Sequence, residues 1–257
     1  MDYIILDIEF NGRKFASELP MEVIEIGAVR LDEALRPIDD FSSLIKPVYF
    51  SKLNSFIKKK TGIPQEDIDV APGFPKVIGD FRTWLGRSES FLLITWGGED
   101  VKRIVFDTRM HKLDDAYWTE LRYFDLLKGY LRYKNVTNDV SVEAALLDLG
   151  IPAQGSAHRA LDDAWMTAEV FKAVFGGLDF EFKQQYKDQF SNSKERRTIK
   201  NGVRTMLAQK KLLSWDKYAE SFLAGRIDLS DPRKEAELRA FYETEVAKAG
   251  QPKDKSK

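Results

Sequence analysis

The chain has no cysteine and only two histidines, His111 and His158. The first absence excludes disulfides, thiol nucleophiles and zinc–thiolate centres, and it fits a reducing compartment such as the cytoplasm. The second excludes a polyhistidine metal site, so a bound metal would have to rest mainly on carboxylates. Long apolar runs are also missing. Stretches such as Phe91–Ile94 fall far short of the roughly 20 residues that span a bilayer. The opening run Tyr3–Leu6 is short, lacks a basic flank and ends at Asp7, so it does not read as an export signal. The expectation is a soluble, cytoplasmic protein without membrane association.

Core-forming material is present. Of the 257 residues, 43% are hydrophobic and 12% aromatic, enough for a full domain and a small extension. A net charge of −1 hides an asymmetry. Residues 1–177 carry 22 basic and 28 acidic side chains, whereas 178–257 carry 18 and 13. An acidic body (−6) is thus followed by a basic tail (+5), which argues for a boundary near Gly176-Gly177.

Residues 2–10 (DYIILDIEF) read as a buried strand, 21–32 (MEVIEIGAVRLD) as a second, alternating strand, and Phe41–Lys46 as a third, together an antiparallel meander. Part of 53–69 is helical in pattern, with a break at Thr61-Gly62-Ile63-Pro64. Phe74, Val77, Ile78, Phe81 and Leu85 line one helix face. Phe91–Trp96 is a strand that Gly97-Gly98 turns into a helix from about Glu99. Tyr123–Leu127 is a further candidate strand, and Val140–Asp148 and Ala160–Phe175 are helices. The alternation indicates an α/β mixed sheet flanked by helices. Beyond Gly177 the pattern is helical: Asn192 and Glu195 form a candidate capping box, Asp231-Pro232 a helix start and Gly250 a stop. The final seven residues should fray.

Three short segments can carry chemistry. Asp7 and Glu9, two apart in a strand, leave the same face. Such a pair is electrostatically unfavourable at a core edge unless it is solvated or meets a cation. Asp100 follows a strand and a Gly-Gly turn, where ligand sites form in α/β sheets, although an acid there also complements a helix dipole. Glu99 is its neighbour and competitor. His158 and Asp163 are about 140° apart on a helix and converge only if His158 lies at the helix entry. Ala160, Asp163, Ala164, Thr167 and Ala168 make a narrow face that would let this helix press on the sheet. Asp162 competes with Asp163 but points off that face.

Taken together, DIEF (7–10), WGGED (96–100) and HRALDDA (158–164) resemble the motifs of the DEDDh exonucleases, with their DnaQ-like, ribonuclease H-like fold. VIEIGAV (23–29) is similar to that family's second strand. TGIPQEDID (61–69), with the other motifs, is similar to the branch of enhancer-of-RNA-interference and KapD-type exonucleases. The resemblance spans about residues 2–176 and covers nothing beyond 178.

The resemblance implies Asp7, Glu9, Asp100 and Asp163 as ligands of two metal ions, Mg²⁺ or Mn²⁺, and His158 as general base. It implies a 3′→5′ exonuclease releasing nucleoside 5′-monophosphates from the 3′ ends of single-stranded RNA or DNA, with RNA favoured. No protein partner is indicated. Phe10 could stack on the terminal base or simply close the core, and Trp96 fits the core better than a nucleotide platform. Arg159 could meet a phosphate or only solvent. Glu25 reads as a structural acid and His111 as surface or core. In the tail, Arg196, Arg197, Lys200, Arg204, Lys210 and Lys211 either contact phosphates or form a solvated face. Two other functions stay open: a DNA-proofreading or repair exonuclease, and a non-hydrolysing nucleic-acid- or protein-binding regulator.

Overall fold

The computed structural model describes residues 1–12, 21–152 and 158–250. Strands β1 (Asp2–Asn11), β2 (Glu22–Leu31) and β3 (Pro37–Leu44) form the expected antiparallel meander. Helices α1 (Ser55–Thr61), α2 (Gln65–Val70) and α3 (Phe74–Leu85) follow, then β4 (Phe91–Thr95), α4 (Glu99–Met110), α5 (Ala116–Glu120) and β5 (Arg122–Asp125). Next come α6 (Leu126–Lys134), α7 (Val142–Asp148), α8 (Ala160–Val174) and a short β6 (Gln184–Gln185). The sheet order is β3-β2-β1-β4-β5-β6, with β4 parallel to β1 and β5 parallel to β4. This is the α/β mixed sheet flanked by helices that the sequence pattern indicates.

Pleating of β1 divides the core in two. Ile4, Leu6 and Ile8 join Phe74, Phe81 and Trp84 of α3 and Val101, Ile104 and Val105 of α4 on one side. Tyr3 and Ile5 join Ala164, Ala168 and Phe171 of α8 on the other. Side chains two apart share a face, so Asp7 and Glu9 continue the α8-facing row where its apolar part stops. Full burial of such side chains is worth roughly 1.5–3 kcal/mol each, and these two layers hold the sheet rigid beneath the acids.

Several boundaries differ from the sequence reading for identifiable reasons. The β5 strand ends at Asp125 because its carboxylate accepts the Lys128 N–H at 3.0 Å and starts α6. Ser141 caps α7 in the same way, so that helix begins at Val142. The alternating strand β2 is buried throughout, from Glu22 to Leu31. Its charged residues are satisfied inside: Glu22 accepts N–H groups from Val48, Tyr49 and Phe50, and Arg30 pairs with Asp39.

The described chain forms two compact units that divide between Tyr186 and Lys187, nine residues past Gly177. Residues after Gly177 still serve the first unit: Phe180 packs 5.0 Å from Phe124 and 5.4 Å from Phe175. The second unit holds α9 (Ser193–Ala208), α10 (Trp215–Tyr218), a π turn at Ala219–Leu223 and α11 (Pro232–Gly250). Ile199, Val203, Met206, Trp215, Tyr218, Leu238 and Tyr242 make its core. The Asn192–Glu195 capping box is present, and Asp231 accepts the Arg233 N–H at the start of α11. Fraying of the last seven residues falls outside the described residues. Among the described residues no helix is long and apolar enough to cross a membrane.

Candidate active site

The acids gather at the carboxyl ends of the parallel strands β1 and β4, where open α/β sheets place ligands. In the ladder, Asp7 faces Gly27 and Glu9 faces Glu25 of β2. Gly27 is required there: a Cβ would overlap the backbone of Ala160 and Leu161. The α8 backbone therefore lies directly on β2, with Ala160, Ala164, Thr167 and Ala168 buried along the contact. This close approach brings Asp163, in the first turn of α8, over Asp7 and Glu9.

On the other side, β4 ends at Thr95 and Gly97 turns the chain at φ 99°, a left-handed value that suits glycine. The turn starts α4, whose first residues are Glu99 and Asp100. Only Asp100 addresses the cluster. Glu99 is exposed and pairs with Lys102 and Arg103, which hold it below its ordinary range against the opposing effect of burial. Likewise Asp163, not Asp162, belongs to the site. Asp162 lines a separate cavity of about 430 Å³ with Leu146, Ile151, Trp165 and Glu169.

His158 enters α8 with φ 72°, an unfavourable left-handed backbone for a non-glycine residue. Its N–H donates to the Asp163 carboxylate, at 3.1 Å to Oδ2 and 3.3 Å to Oδ1. The five-residue separation is thus closed by a non-helical entry. Glu25 secures the same turn. It is 1% exposed and accepts from Arg159 Nη2 at 2.7 Å, from Arg159 Nε and from the Ala160 N–H at 3.1 Å.

The electrostatics are those of crowded like charges. Burial, then the charges of Asp100, Asp163 and Glu9, raises Asp7 well above the carboxylate range. Burial lifts Glu9 to about 7, with Asp163 and Glu25 adding to it and Lys60 opposing. Asp100 is also pushed up by burial to about 7, although backbone N–H groups pull it down. Asp163 is raised by burial against the His158 N–H and the His158 charge. Ligand atoms of Glu9, His158 and Asp163 lie within 4.8 Å of one another. Hard carboxylate oxygens with one imidazole, and no thiolate, suit Mg²⁺ or Mn²⁺. A divalent cation would relieve the repulsion that raises these groups.

The other sequence candidates have different surroundings. Phe10 packs on the α3–α4 core with the Arg103 guanidinium 5.0 Å from its ring. Trp96 donates through Nε1 to Val140 O at 3.0 Å and packs beside Tyr130. Two of the Arg159 nitrogens are engaged by Glu25. His111 stacks on Phe74 at 5.3 Å. Sequence reasoning missed Lys60 and Glu143. Lys60 lies in the last turn of α1, and its charge opposes the rise of Asp7, Glu9 and Asp163. Glu143, in the first turn of α7, is held below its ordinary range by the Ser141 hydroxyl and, less strongly, by the charges of His158 and Lys60. Nothing distinguishes Lys60 from Lys58 and Lys59 in sequence. Its approach depends on Asn11, whose amide donates to Phe50 O and Lys52 O and whose Oδ1 accepts the Asn54 N–H, drawing α1 to the end of β1.

A family model, RNase_T, exonuclease, matches residues 4–171. The chain is similar to the probable 3′-5′ exonuclease KapD of Bacillus subtilis, 28% identical over 178 residues, covering 66% of this chain and 83% of KapD. It is 26% identical over 179 residues to 3′-5′ exoribonuclease 1 of Mus musculus, covering 66% of this chain and 52% of the mouse protein. This chain thus matches only about half of the mouse protein's length. Its fold matches the nuclease domain of 3′hExo, a DEDDh family member solved bound to rAMP, with a TM-score of 0.65 at 22% identity. That match covers 73% of this chain and 97% of the domain.

Proposed function

The chain belongs to the RNase_T exonuclease family, and on that footing we propose that it removes nucleotides from the 3′ ends of single-stranded RNA in preference to DNA, using two divalent cations, Mg²⁺ or Mn²⁺. The observation that carries this reading is the convergence of Asp7, Glu9, Asp100 and Asp163 with His158 at one end of the sheet, with all four carboxyls raised. Preference for RNA is supported by the name of the mouse relative and by the rAMP held by the 3′hExo domain.

Asp7, Glu9, Asp100 and Asp163 would hold the cations. When bound, such ions polarise the scissile phosphate, lower the pKa of the attacking water and offset charge on the leaving 3′ oxygen. His158 takes the water's proton, as the one imidazole whose nitrogen lies among the ligand atoms of Glu9 and Asp163. Its backbone N–H, donated to Asp163, fixes the chain at the α8 entry, where the imidazole lies beside Glu9. Phe10, Trp96 and Arg159 are secondary candidates for substrate contact. Phe10 follows Glu9 on β1 but packs on the α3–α4 core, and Arg159 acts mainly through Glu25. The unit through Tyr186, nine residues beyond the boundary expected at Gly177, would carry the chemistry, and 187–257 would serve as a basic helical extension.

The test is a panel of end-labelled single-stranded RNA and DNA with Mg²⁺, Mn²⁺ or EDTA. Stepwise shortening from the 3′ end is expected, lost with EDTA and slowed sharply by a 3′-phosphate. Cleavage of circular single strands at the linear rate would overturn the exonuclease reading, and faster loss of DNA would overturn the RNA preference.

A further inference from the structure

The basic surplus of the second unit is not spread over its surface. Between Ser193 and Lys211 there are seven basic side chains and one acid, Glu195. The rest of 187–257 holds 10 basic and 10 acidic residues, so the whole excess lies on α9 and the two lysines just after it. Glu195 does not offset it: its carboxylate accepts the Asn192 N–H in the capping box and pairs with Lys234.

The fold separates structural from unassigned cations on this helix. Ile199, Val203 and Met206 bury one face. Arg196, beside that face, donates to Ser191 O at 2.7 Å and reaches Glu237, so it is held within the unit. Arg197, Lys200, Arg204, Lys210 and Lys211 are exposed. Among the described residues, ion pairs of the second unit involve other groups: Arg196, Arg233, Lys234, Arg239 and Lys248. Arg197 and Arg204 are two turns apart, so they share an azimuth about 10 Å apart along the axis, with Lys200 one turn between them. On α11, by contrast, the exposed Arg239 and Lys248 have acids at helical spacing, Glu243 and Glu245. Beside the stripe on α9 lie Asn201, Thr205 and Ala208, none of them acidic.

We propose that this stripe of Arg197, Lys200 and Arg204, extended by Lys210 and Lys211, binds the phosphate backbone of single-stranded RNA, as a second contact for strands long enough to reach both it and the carboxylate site. The assignment rests on the exonuclease reading for the identity of the polyanion. A run of unpaired cations in regular array neutralises phosphates without reading bases, and its affinity depends steeply on salt. A second contact raises apparent affinity through effective concentration, and only for a ligand that spans both.

The test uses the full chain, with Ca²⁺ in place of Mg²⁺ so that the carboxylate site can hold a cation while turnover is slow, and labelled U30 and U4 RNA, the second carrying only a few phosphates. Arg197→Glu/Lys200→Glu/Arg204→Glu should weaken U30 binding about tenfold or more. It should also reduce the log–log salt slope by about 2, since each phosphate contact on a single strand contributes about 0.7. U4 binding, and U4 turnover with Mg²⁺, should be unchanged. Arg197→Lys/Arg204→Lys should keep wild-type affinity for U30, because charge and not geometry is read. If the reversal lowers the melting temperature, the same comparison is made with glutamine at the three positions. Unchanged U30 affinity would overturn the proposal, as would equal loss on U30 and U4. Displacement of U30 by polyglutamate as effective as by unlabelled U30 would overturn the assignment to nucleic acid. Wild-type turnover of U4 reports the exonuclease reading separately, so the two can fail independently.

Discussion

Glu25 is buried opposite Glu9 yet bears no sign of being a cation ligand; its oxygens hold the first turn of α8. Replacing it with alanine strands the Ala160 N–H in the interior, at a cost of about 1–3 kcal/mol for an unsatisfied buried donor. Arg159 is 39% exposed at its side chain and can regain water, so its lost pairing adds only about 1 kcal/mol. The expected destabilisation is therefore roughly 2–4 kcal/mol, below the range for a fully buried pair. At about 2–4 °C per kcal/mol for a domain of this size, the melting temperature should fall by roughly 4–16 °C. Activity should fall too, because Arg159 lies between His158 and the turn that carries Asp163. The Asp163 N–H bonds to Arg159 O at 2.9 Å, and the His158 N–H bonds back to Asp163. A displacement of about 1 Å at a catalytic group can cost about 10²-fold. The assay is a thermal melt and turnover of saturating short RNA on the same preparation, below the melting range. Glu25→Gln should retain part of both properties by accepting the Ala160 N–H. Wild-type turnover per folded molecule in Glu25→Ala would refute the claim that this acid positions His158 and Asp163. Arg159→Ala raising KM alone, with no loss of stability, would show that Arg159 serves substrate and not Glu25.

Three further outcomes are expected. Asp7→Ala should abolish turnover while the metal-free melting temperature holds or rises, since it removes a group raised by burial and by three neighbouring acids; normal rates would place the chemistry elsewhere. His158→Ala should lose roughly 10²–10⁴-fold in turnover, with divalent-cation binding, followed by calorimetry, largely kept; a loss under threefold would remove it from the mechanism. The metal-free protein should lose stability between about pH 4.5 and 7. Glu9 and Asp100, both lifted to about 7, hold protons in the folded state that the unfolded chain has released, so the advantage present at low pH disappears as pH rises through 7. For Glu9 the effect is roughly 3 kcal/mol, read from melts across pH in EDTA. A flat profile would contradict the repulsion described at the site.

Much of this molecule was legible in its sequence because the signals were local. The strand of β1, the break at Gly97-Gly98, the capping box at Asn192 and the small face of α8 are each written in a few adjacent residues. Gly27 sat inside a recognisable strand, but that it admits the α8 backbone required the packing. Elements closed by a single side chain were misjudged by a few residues, as at Asp125 and Ser141. The partners of the polar residues of β2, Phe50, Asp39 and Arg159, are distant in sequence, so only the fold shows how Glu22, Arg30 and Glu25 are satisfied in the interior. The four motif acids could be named in advance. Lys60 and Glu143 could not, since no motif marks them and only the fold directs them toward His158 and Asp163.

The site is assembled against its own electrostatics, which bears on how cations would bind it. Four raised carboxyls and a left-handed His158 are held by elements whose stability lies elsewhere: the apolar layers on both faces of β1, the contact of α8 on Gly27, and Glu25. Were the rigid surroundings absent, the acids would separate and take up water. Held together, Glu9 and Asp100, lifted to about 7, are partly protonated near neutrality, so cation binding must displace protons and should strengthen as pH rises from 6 to 8. The stabilisation that Mg²⁺ confers grows with its affinity as RT ln(1 + [Mg²⁺]/Kd). Stability in EDTA should therefore decline to about pH 7 while the increment from Mg²⁺ increases over the same span. Melts at fixed Mg²⁺ across pH measure that increment, and one that shrank with rising pH would mean that these carboxyls are not what the cations displace protons from.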